Sequence, residues 1–179
     1  QGVLDTGRGI EDMISAFSSS GGPLALVLMG FGDGEETVRR SAAGSENVWF
    51  HESVQPSQLL NYTSQADIGL VLTADNCLSH ALSAPNKPFQ YLAAGLRIVV
   101  RDLPELRKLV ELTAQGVVLR DGSAETLLDA CIEALALPPS NELGIPTWDV
   151  YEQLITCRYS EVLSGLSQRC EISANSYWG

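Results

Sequence analysis

The sequence predicts an α/β domain built on a doubly wound, mostly parallel sheet with helices on both faces. Short apolar runs, bounded by glycine or polar residues, alternate with segments in which apolar residues recur every three or four positions. Strands that alternate with helices require right-handed crossovers, which produce parallel pairing. Ligands of such sheets bind beyond the carboxyl ends of the strands, so site residues are sought there.

The first half of the chain supplies four predicted strands. The opening residues 1–4 have the pattern of the end of a strand. Residues 9–19 form a helix, because Ile10, Met13, Ile14 and Phe17 share one face. Residues 24–29 are a continuous apolar run, as in a parallel strand covered on both faces. After them come a glycine loop at 30–34, a helix at 35–43, a strand at 47–50, a helix around Leu59 and a strand at 68–72.

The second half continues the alternation. A helix over 86–94 ends at Gly95, a strand follows at 98–100, and Pro104 suits the first turn of another helix. The last strand is 116–119, and Ser123 caps the next helix. We therefore expect one domain over 1–137, truncated at its N-terminus, a linker and a helix that packs back on it over 138–170, and an irregular tail over 171–179.

Composition excludes several classes of protein. A formal net charge of −11 disfavours broad binding to nucleic acid or to an anionic membrane. The apolar runs are too short to span a bilayer, and no export signal is visible, so we expect a cytoplasmic protein. The four cysteines lack CxxC spacing and are expected to be reduced. Asp75, Cys77 and His80 lie close in sequence without a second ligand cluster, so no metal site is predicted.

One segment carries a specific resemblance. Ala84-Pro85-Asn86-Lys87-Pro88-Phe89-Gln90-Tyr91-Leu92-Ala93-Ala94-Gly95 resembles the PNKxFEYxAAG segment of bacterial GT-B glycosyltransferases. The match continues over 96–106, and further matches at 7–12, 27–32 and 65–70 extend the likeness over roughly residues 1–163. The chain is thereby similar to the C-terminal, nucleotide-sugar-binding half of a retaining enzyme of the group 1, family 4-like type. That resemblance implies a Rossmann-like fold and a missing N-terminal domain that binds the acceptor.

The resemblance implies a site for the donor diphosphate. Arg8 occupies the position of the basic residue in the loop after the first strand, whereas the second basic position of the family holds Val3. Asn86 and Lys87 open a helix, whose free amides and partial positive charge suit a phosphate. The alternative is that Asn86 merely caps the helix and Lys87 is solvated.

Other donor contacts are implied in the same way. Gln90 and Ser83 are expected at the ribose and sugar, although the two glutamates that the family places there correspond to Gln90 and Leu82. The nucleobase is assigned to the loops after the second and third strands, with Gly30, Gly32, His51 and Val54. His51 as an ordinary loop histidine is the competing interpretation.

The sequence is compatible with three functions. The first is transfer of a hexose from a nucleoside diphosphate sugar to a glycan or other acceptor with retention, without a cofactor or metal; the isolated fragment would be inactive. The second is a catalytically degenerate scaffold module that still binds sugar nucleotides, which the loss of both glutamates motivates. The third is a dinucleotide-dependent oxidoreductase, suggested by Gly30-x-Gly32 and Glu52, although Glu35 stands where its third glycine belongs.

Overall fold

The computed structural model describes residues 1–4, 9–73, 85–121, 123–138 and 148–164. The chain divides into two compact units, Gln1–Asn141 and Glu142–Gly179. The described part of the second unit contains one helix, Trp148–Ser164. The predicted division into a domain over 1–137, a linker with a helix over 138–170 and a tail over 171–179 stays a prediction.

The first unit begins with a three-stranded parallel sheet in the order β1-β2-β3. Its strands are β1 (Gly2–Val3), β2 (Leu26–Phe31) and β3 (Val48–His51). Helix α1 (Ile10–Ser19) connects the first two strands, α2 (Glu35–Ser41) connects the next two, and α3 (Leu59–Thr63) leads out of the sheet. The amphipathic stripe that predicts α1 is confirmed, because Ile10, Met13, Ile14 and Phe17 are all buried.

A second parallel sheet follows in the order β4-β5-β6. Its strands are β4 (Ile68–Val71), β5 (Arg97–Arg101) and β6 (Gly116–Leu119). The helices of this half are α4 (Asn86–Ala93), α5 (Pro104–Thr113) and α6 (Ala124–Ala136), and the second unit contributes α7 (Trp148–Ser164). Parallel strands flanked by helices confirm the predicted fold class.

A shared apolar core holds the two sheets together. Val99 of β5 packs into this core with residues of α1 and α6, whereas its neighbour Ile98 lies on the opposite face, close to Val110 of α5. Successive side chains of a strand point to opposite faces, so helices cover both faces of the second sheet. The buried members of the core are Leu4, Ile10, Met13, Ile14, Ala16, Phe17, Leu26, Leu28, Val38, Ala42, Val48, Leu72, Val99, Leu119, Leu127, Ala130, Cys131 and Ala134.

The strands of the first sheet differ from the predicted ones in extent and in coverage. Strand β2 continues through Gly30 and Phe31, which the sequence assigns to a loop, because both pair with β1. The prediction that β2 is covered on both faces is wrong. Its Val27 is 58% exposed, and Trp49, the partner of Val27 on β3, is 62% exposed.

Both predicted helix ends near glycine and serine are confirmed. Helix α4 finishes with Gly95 at φ 84°, whose N–H donates to Leu92 at 2.9 Å, while the Leu96 N–H donates to Tyr91 at 3.0 Å. These two bonds form a Schellman motif, which requires a left-handed residue that glycine supplies without strain. At the start of α6, the Ser123 side chain accepts a hydrogen bond from the Thr126 N–H, as expected of an N-cap.

The two cysteines in the described ranges differ in their state. Cys131 is free and buried, and burial raises the pKa of its thiol to about 11. Cys157 of α7 is joined in a disulfide, and its partner lies outside the described residues. The expectation of four reduced cysteines is therefore wrong for Cys157. None of the helices in the described ranges is long and apolar enough to cross a membrane.

Gly69 in β4 gives a direct test of the packing between sheet and helix. A Cβ at this position would lie 2.2 Å from Cδ2 and 2.3 Å from Cγ of Tyr91, a buried ring of α4. We expect Gly69→Ala to lower the free energy of unfolding by about 1–3 kcal/mol, because the added Cβ overlaps the Tyr91 ring and the buried ring must shift. The control is Gly22→Ala, where nothing lies within 4 Å and a change below about 0.5 kcal/mol is expected in urea denaturation. Equal stabilities of the two variants would contradict this packing.

Gly30 tests the approach of β1 to β2. It has φ 156°, and a Cβ there would lie 1.7 Å from the Gly2 carbonyl oxygen. We expect Gly30→Ala to break the pairing, so that the Leu4 N–H, which donates to Phe31 at 2.8 Å, exchanges faster with solvent. Gly44→Ala is the control, since Gly44 has φ 85° but no atom within 4 Å of the added Cβ. It should cost about 1–2 kcal/mol of backbone strain and leave Leu4 exchange unchanged.

Candidate functional site

Lys87 lies at the point where β1 ends and α4 begins. A Cβ added to Gly2 would stand 3.0 Å from Cε and 3.3 Å from Nζ of Lys87, so the lysine side chain packs directly over the Gly2 backbone. Gly2 has φ 117°, a conformation that side chains rarely adopt. Lys87 therefore lies in close contact with the end of β1, at a position whose backbone conformation favours glycine.

The N-terminus of α4 presents its first-turn amides without a side-chain cap. Its N-cap is Pro85 (φ −67°, ψ 151°), which has no side-chain acceptor, and Asn86 is the first residue inside the helix. The alternative in which Asn86 caps the helix is therefore wrong. Asn86 is exposed and Lys87 is half-buried. Uncapped amides next to a lysine ammonium form a cationic corner that suits an anionic oxygen.

Gln1 connects this corner to α3 and to the body of α4. Its amino group donates to the Tyr91 hydroxyl at 3.0 Å, its Nε2 donates to Oε1 of Gln90 at 3.2 Å, and its Oε1 accepts from the Thr63 hydroxyl. Burial, and then the charge of Lys87, lower the pKa of the Gln1 amino group to about 6. Burial also raises the pKa of Tyr91 to about 12, so that hydroxyl stays protonated. Gln90 is exposed and already engaged by one hydrogen bond.

The sequence predicts His51 as the first residue of the loop after β3, but the structure places it as the last residue of the strand. Its ring meets Tyr62 of α3 edge to face, with centroids 5.1 Å apart and planes at 61°. The Nδ1 lies 2.7 Å from the Glu52 carbonyl, which can only accept, so Nδ1 carries the proton. Val54 is half-buried in the segment that follows β3. His51 is thus oriented by two contacts, with its ring exposed at the end of the strand.

Gly30, near the end of β2, and Gly32, just after the strand, each have a structural role. Gly30 pairs with Gly2, and a Cβ at Gly32 would lie 2.6 Å from the Leu4 carbonyl oxygen. Both therefore permit close contact between the ends of β1 and β2. Their predicted role at the nucleobase stays a prediction.

Most of the predicted donor residues gather at one edge. Lys87 touches the end of β1, Gly30 is paired with that strand, and His51 is paired with Met29 on β2. Because the three strands are parallel, their carboxyl ends define one rim. Arg8, Ser83 and Leu82 lie outside the described residues, as do Asp75, Cys77 and His80. Over the described ranges, no three His, Cys, Asp or Glu side chains lie close enough to hold a metal ion.

Sequence reasoning missed Tyr91 and Thr63. Tyr91 belongs to the segment that carries the resemblance, but the sequence assigns its hydroxyl no role, and Thr63 lies in the predicted helix around Leu59 without any signal of its own. Both side chains are buried yet polar. A polar tip on an otherwise apolar helix face was the signal available for Tyr91. For Thr63 there was none, because its partner Gln1 is 62 positions away.

Comparison with known proteins shows a family and two similar solved structures. Residues 3–136 match the sequence profile of the family described as glycosyl transferases group 1. A search of curated protein sequences gives no significant match. Sucrose-phosphate synthase from Thermosynechococcus elongatus is a similar solved structure, with 17% identity, a TM-score of 0.67, and coverage of 92% of this chain and 46% of the synthase. HepE of Anabaena in complex with UDP has 18% identity, a TM-score of 0.55, and coverage of 92% and 48%.

The chain therefore spans about half the length of these two proteins. At such identities the likeness establishes the fold, and the profile establishes the family because it covers most of the chain. The chain belongs to the glycosyl transferases of group 1 and has the Rossmann-like fold of a GT-B glycosyltransferase domain.

Proposed function

We propose that this domain binds the nucleoside diphosphate of a sugar donor at the rim formed by β1, β2, β3 and the start of α4. The observation that carries the proposal is the cationic corner, in which Lys87 lies over Gly2 beside the uncapped amides of α4. The similar structure of HepE was solved with UDP, which supports a nucleoside diphosphate as the ligand class. In this arrangement Asn86, Lys87 and Arg8 contact the diphosphate.

Within a longer chain, the domain would act as the donor half of a hexosyltransferase. A hexose passes from the nucleoside diphosphate to a glycan or other acceptor with retention of the anomeric configuration. Lys87 and the α4 amides stabilise the negative charge that develops on the leaving diphosphate. Protein cations would serve in place of a metal ion. A separate N-terminal domain would bind the acceptor, so the isolated fragment should bind the donor without turnover.

The remaining donor contacts follow from the same placement. Gln90 and Ser83 would contact the ribose and sugar, and His51 with Val54, Gly30 and Gly32 would approach the nucleobase. A cytoplasmic location remains part of the proposal, although the disulfide at Cys157 does not agree with a reducing compartment. The oxidoreductase hypothesis is not retained, because the chain belongs to a glycosyl transferase family.

The second candidate is a degenerate binding module without transferase activity. It is favoured by Gln90, which stands where the family has a glutamate and which already accepts a hydrogen bond from Gln1. An amide positions a hydroxyl by hydrogen bonding but supplies no negative charge near the reacting sugar. Donor binding would survive in such a module, while transfer would not.

Lys87 is the sharpest test of the donor site. We expect Lys87→Gln to weaken UDP binding roughly tenfold in calorimetric titration, because a charge-assisted hydrogen bond to phosphate is lost. The chain has one other lysine, Lys108, which pairs with Glu105 on the exposed side of α5. Lys108→Gln is therefore the matched control and should leave the affinity unchanged. A folded domain that binds none of UDP, GDP, ADP and NAD would argue against the site.

Gln90→Glu separates the transferase from the degenerate module. In a chain that carries both halves, the wild type should transfer sugar if the first candidate is correct. If the wild type is inactive and Leu82→Glu with Gln90→Glu restores transfer, the module is degenerate. The measurement is product formation from radiolabelled donor, with UDP affinity as the control for binding. If the wild type and the double variant both bind UDP but neither transfers sugar, the transferase and the degenerate-module interpretations of Leu82 and Gln90 are both rejected.

A further inference from the structure

Two aromatic rings meet at the carboxyl end of β3. His51 is the last residue of that strand, and its ring lies edge to face with the ring of Tyr62 on α3, with centroids 5.1 Å apart. Both side chains remain open to solvent, since Tyr62 is 45% exposed and His51 is exposed as well. These two residues, called the ring pair below, therefore present aromatic surface at the rim where the strands of the first sheet end.

The ring pair is held in place from both of its elements. Nδ1 of His51 donates to the Glu52 carbonyl at 2.7 Å, which fixes the plane of the imidazole. Tyr62 precedes Thr63, a buried residue whose hydroxyl lies 2.7 Å from the Leu59 carbonyl oxygen. A ring that is anchored in this way loses little conformational freedom when a flat ligand stacks on it.

The ring pair faces the same cavity as the cationic corner. Lys87, His51 and Tyr62 all line a cavity of about 700 Å³. Lys87 packs over Gly2 in β1, and the order of the sheet places β2 between β1 and β3. Neighbouring strands are about 4.8 Å apart, so roughly 10 Å of rim separates the ends of β1 and β3. A ribose can span such a gap between a base and a diphosphate.

We propose that the nucleobase of the donor stacks on the ring of Tyr62, which His51 orients from the side. This inference rests on the proposed donor binding and adds a residue for the base, the part of the ligand that lies beyond the cationic corner. Stacking requires only the π face that every base has. The ring pair therefore contributes affinity for any nucleoside diphosphate and does not itself choose between uracil, guanine and adenine.

The competing interpretation is that the ring pair only fastens α3 to β3. Edge-to-face aromatic pairs stabilise a fold without any ligand. A pair with that role alone would gain most from burial of both rings, because removal of apolar surface from water is the larger contribution. Tyr62 instead leaves nearly half of its surface in solvent, beside a cavity that a lysine also lines.

The test measures the affinity of the chain for UDP, ADP and inorganic pyrophosphate by calorimetric titration. Pyrophosphate can engage the cationic corner but has no base to stack. We expect Tyr62→Leu to weaken UDP and ADP binding roughly tenfold each and to leave the affinity for pyrophosphate unchanged. Tyr62→Phe keeps the aromatic face and should retain the affinity for UDP.

Trp49→Leu is the matched control. Trp49 is 62% exposed and lies on the same face of β3 as His51, but it precedes His51 by two positions and is farther from the carboxyl end of the strand. Loss of this exposed aromatic ring should leave all three affinities at the wild-type level.

A resonance of His51 provides a second measurement if Tyr62→Leu does not fold. The sequence has two histidines, and His51→Gln identifies which Cε1 proton signal belongs to His51. In the wild type, UDP should shift this signal, because a base stacked on Tyr62 brings its ring current next to the imidazole. Pyrophosphate should leave the signal in place. Equal shifts with the two ligands would contradict stacking.

The outcomes distinguish this inference from the proposed donor site. Equal losses of UDP and pyrophosphate affinity in Tyr62→Leu, or no loss of either, would overturn the stacking role. So would a wild type that binds UDP no more tightly than pyrophosphate, although pyrophosphate binding that Lys87→Gln weakens would still support the cationic corner. A folded wild type that binds neither ligand would overturn the donor site, and the stacking role with it.

Discussion

The structure depends on the close backbone approach of β1 to its neighbours. Gly30 lets the end of β2 lie against Gly2, and Gly32 does the same against Leu4. Gly9, at φ 72°, starts α1 so near the end of β4 that a Cβ would stand 2.3 Å from the Leu72 carbonyl oxygen. These contacts bring the ends of the first sheet next to the end of β4. Buried residues of α1 and α6 pack together in the core next to these contacts.

The same contacts create the candidate site. The end of the Lys87 side chain packs against the backbone of Gly2 in β1, and α4 begins at that point without a side-chain cap. A diphosphate bound there would meet charge and amide dipoles from one helix and backbone from one strand. Rigid elements hold these groups, which is the arrangement that electrostatic stabilisation of a leaving group requires.

The sequence by itself determined the order and type of nearly every described element. Apolar periodicity fixed α1, the runs at 68–72 and 98–100 fixed β4 and β5, and Gly95 and Ser123 fixed two helix ends, because each of these signals is local. It also placed Asn86 and Lys87 at a helix start. The family resemblance on that segment proved correct.

Only the tertiary structure decided which groups meet. The placement of Lys87 over Gly2, the bonds from Gln1 to Tyr91 and Gln90, and the contact between Gly69 and Tyr91 join residues far apart in the chain. No local pattern encodes such pairs. Coverage of β2 was predicted wrongly for the same reason, since an apolar run indicates that a strand can be buried on both faces, and only the packing of its neighbours decides whether Val27 is covered.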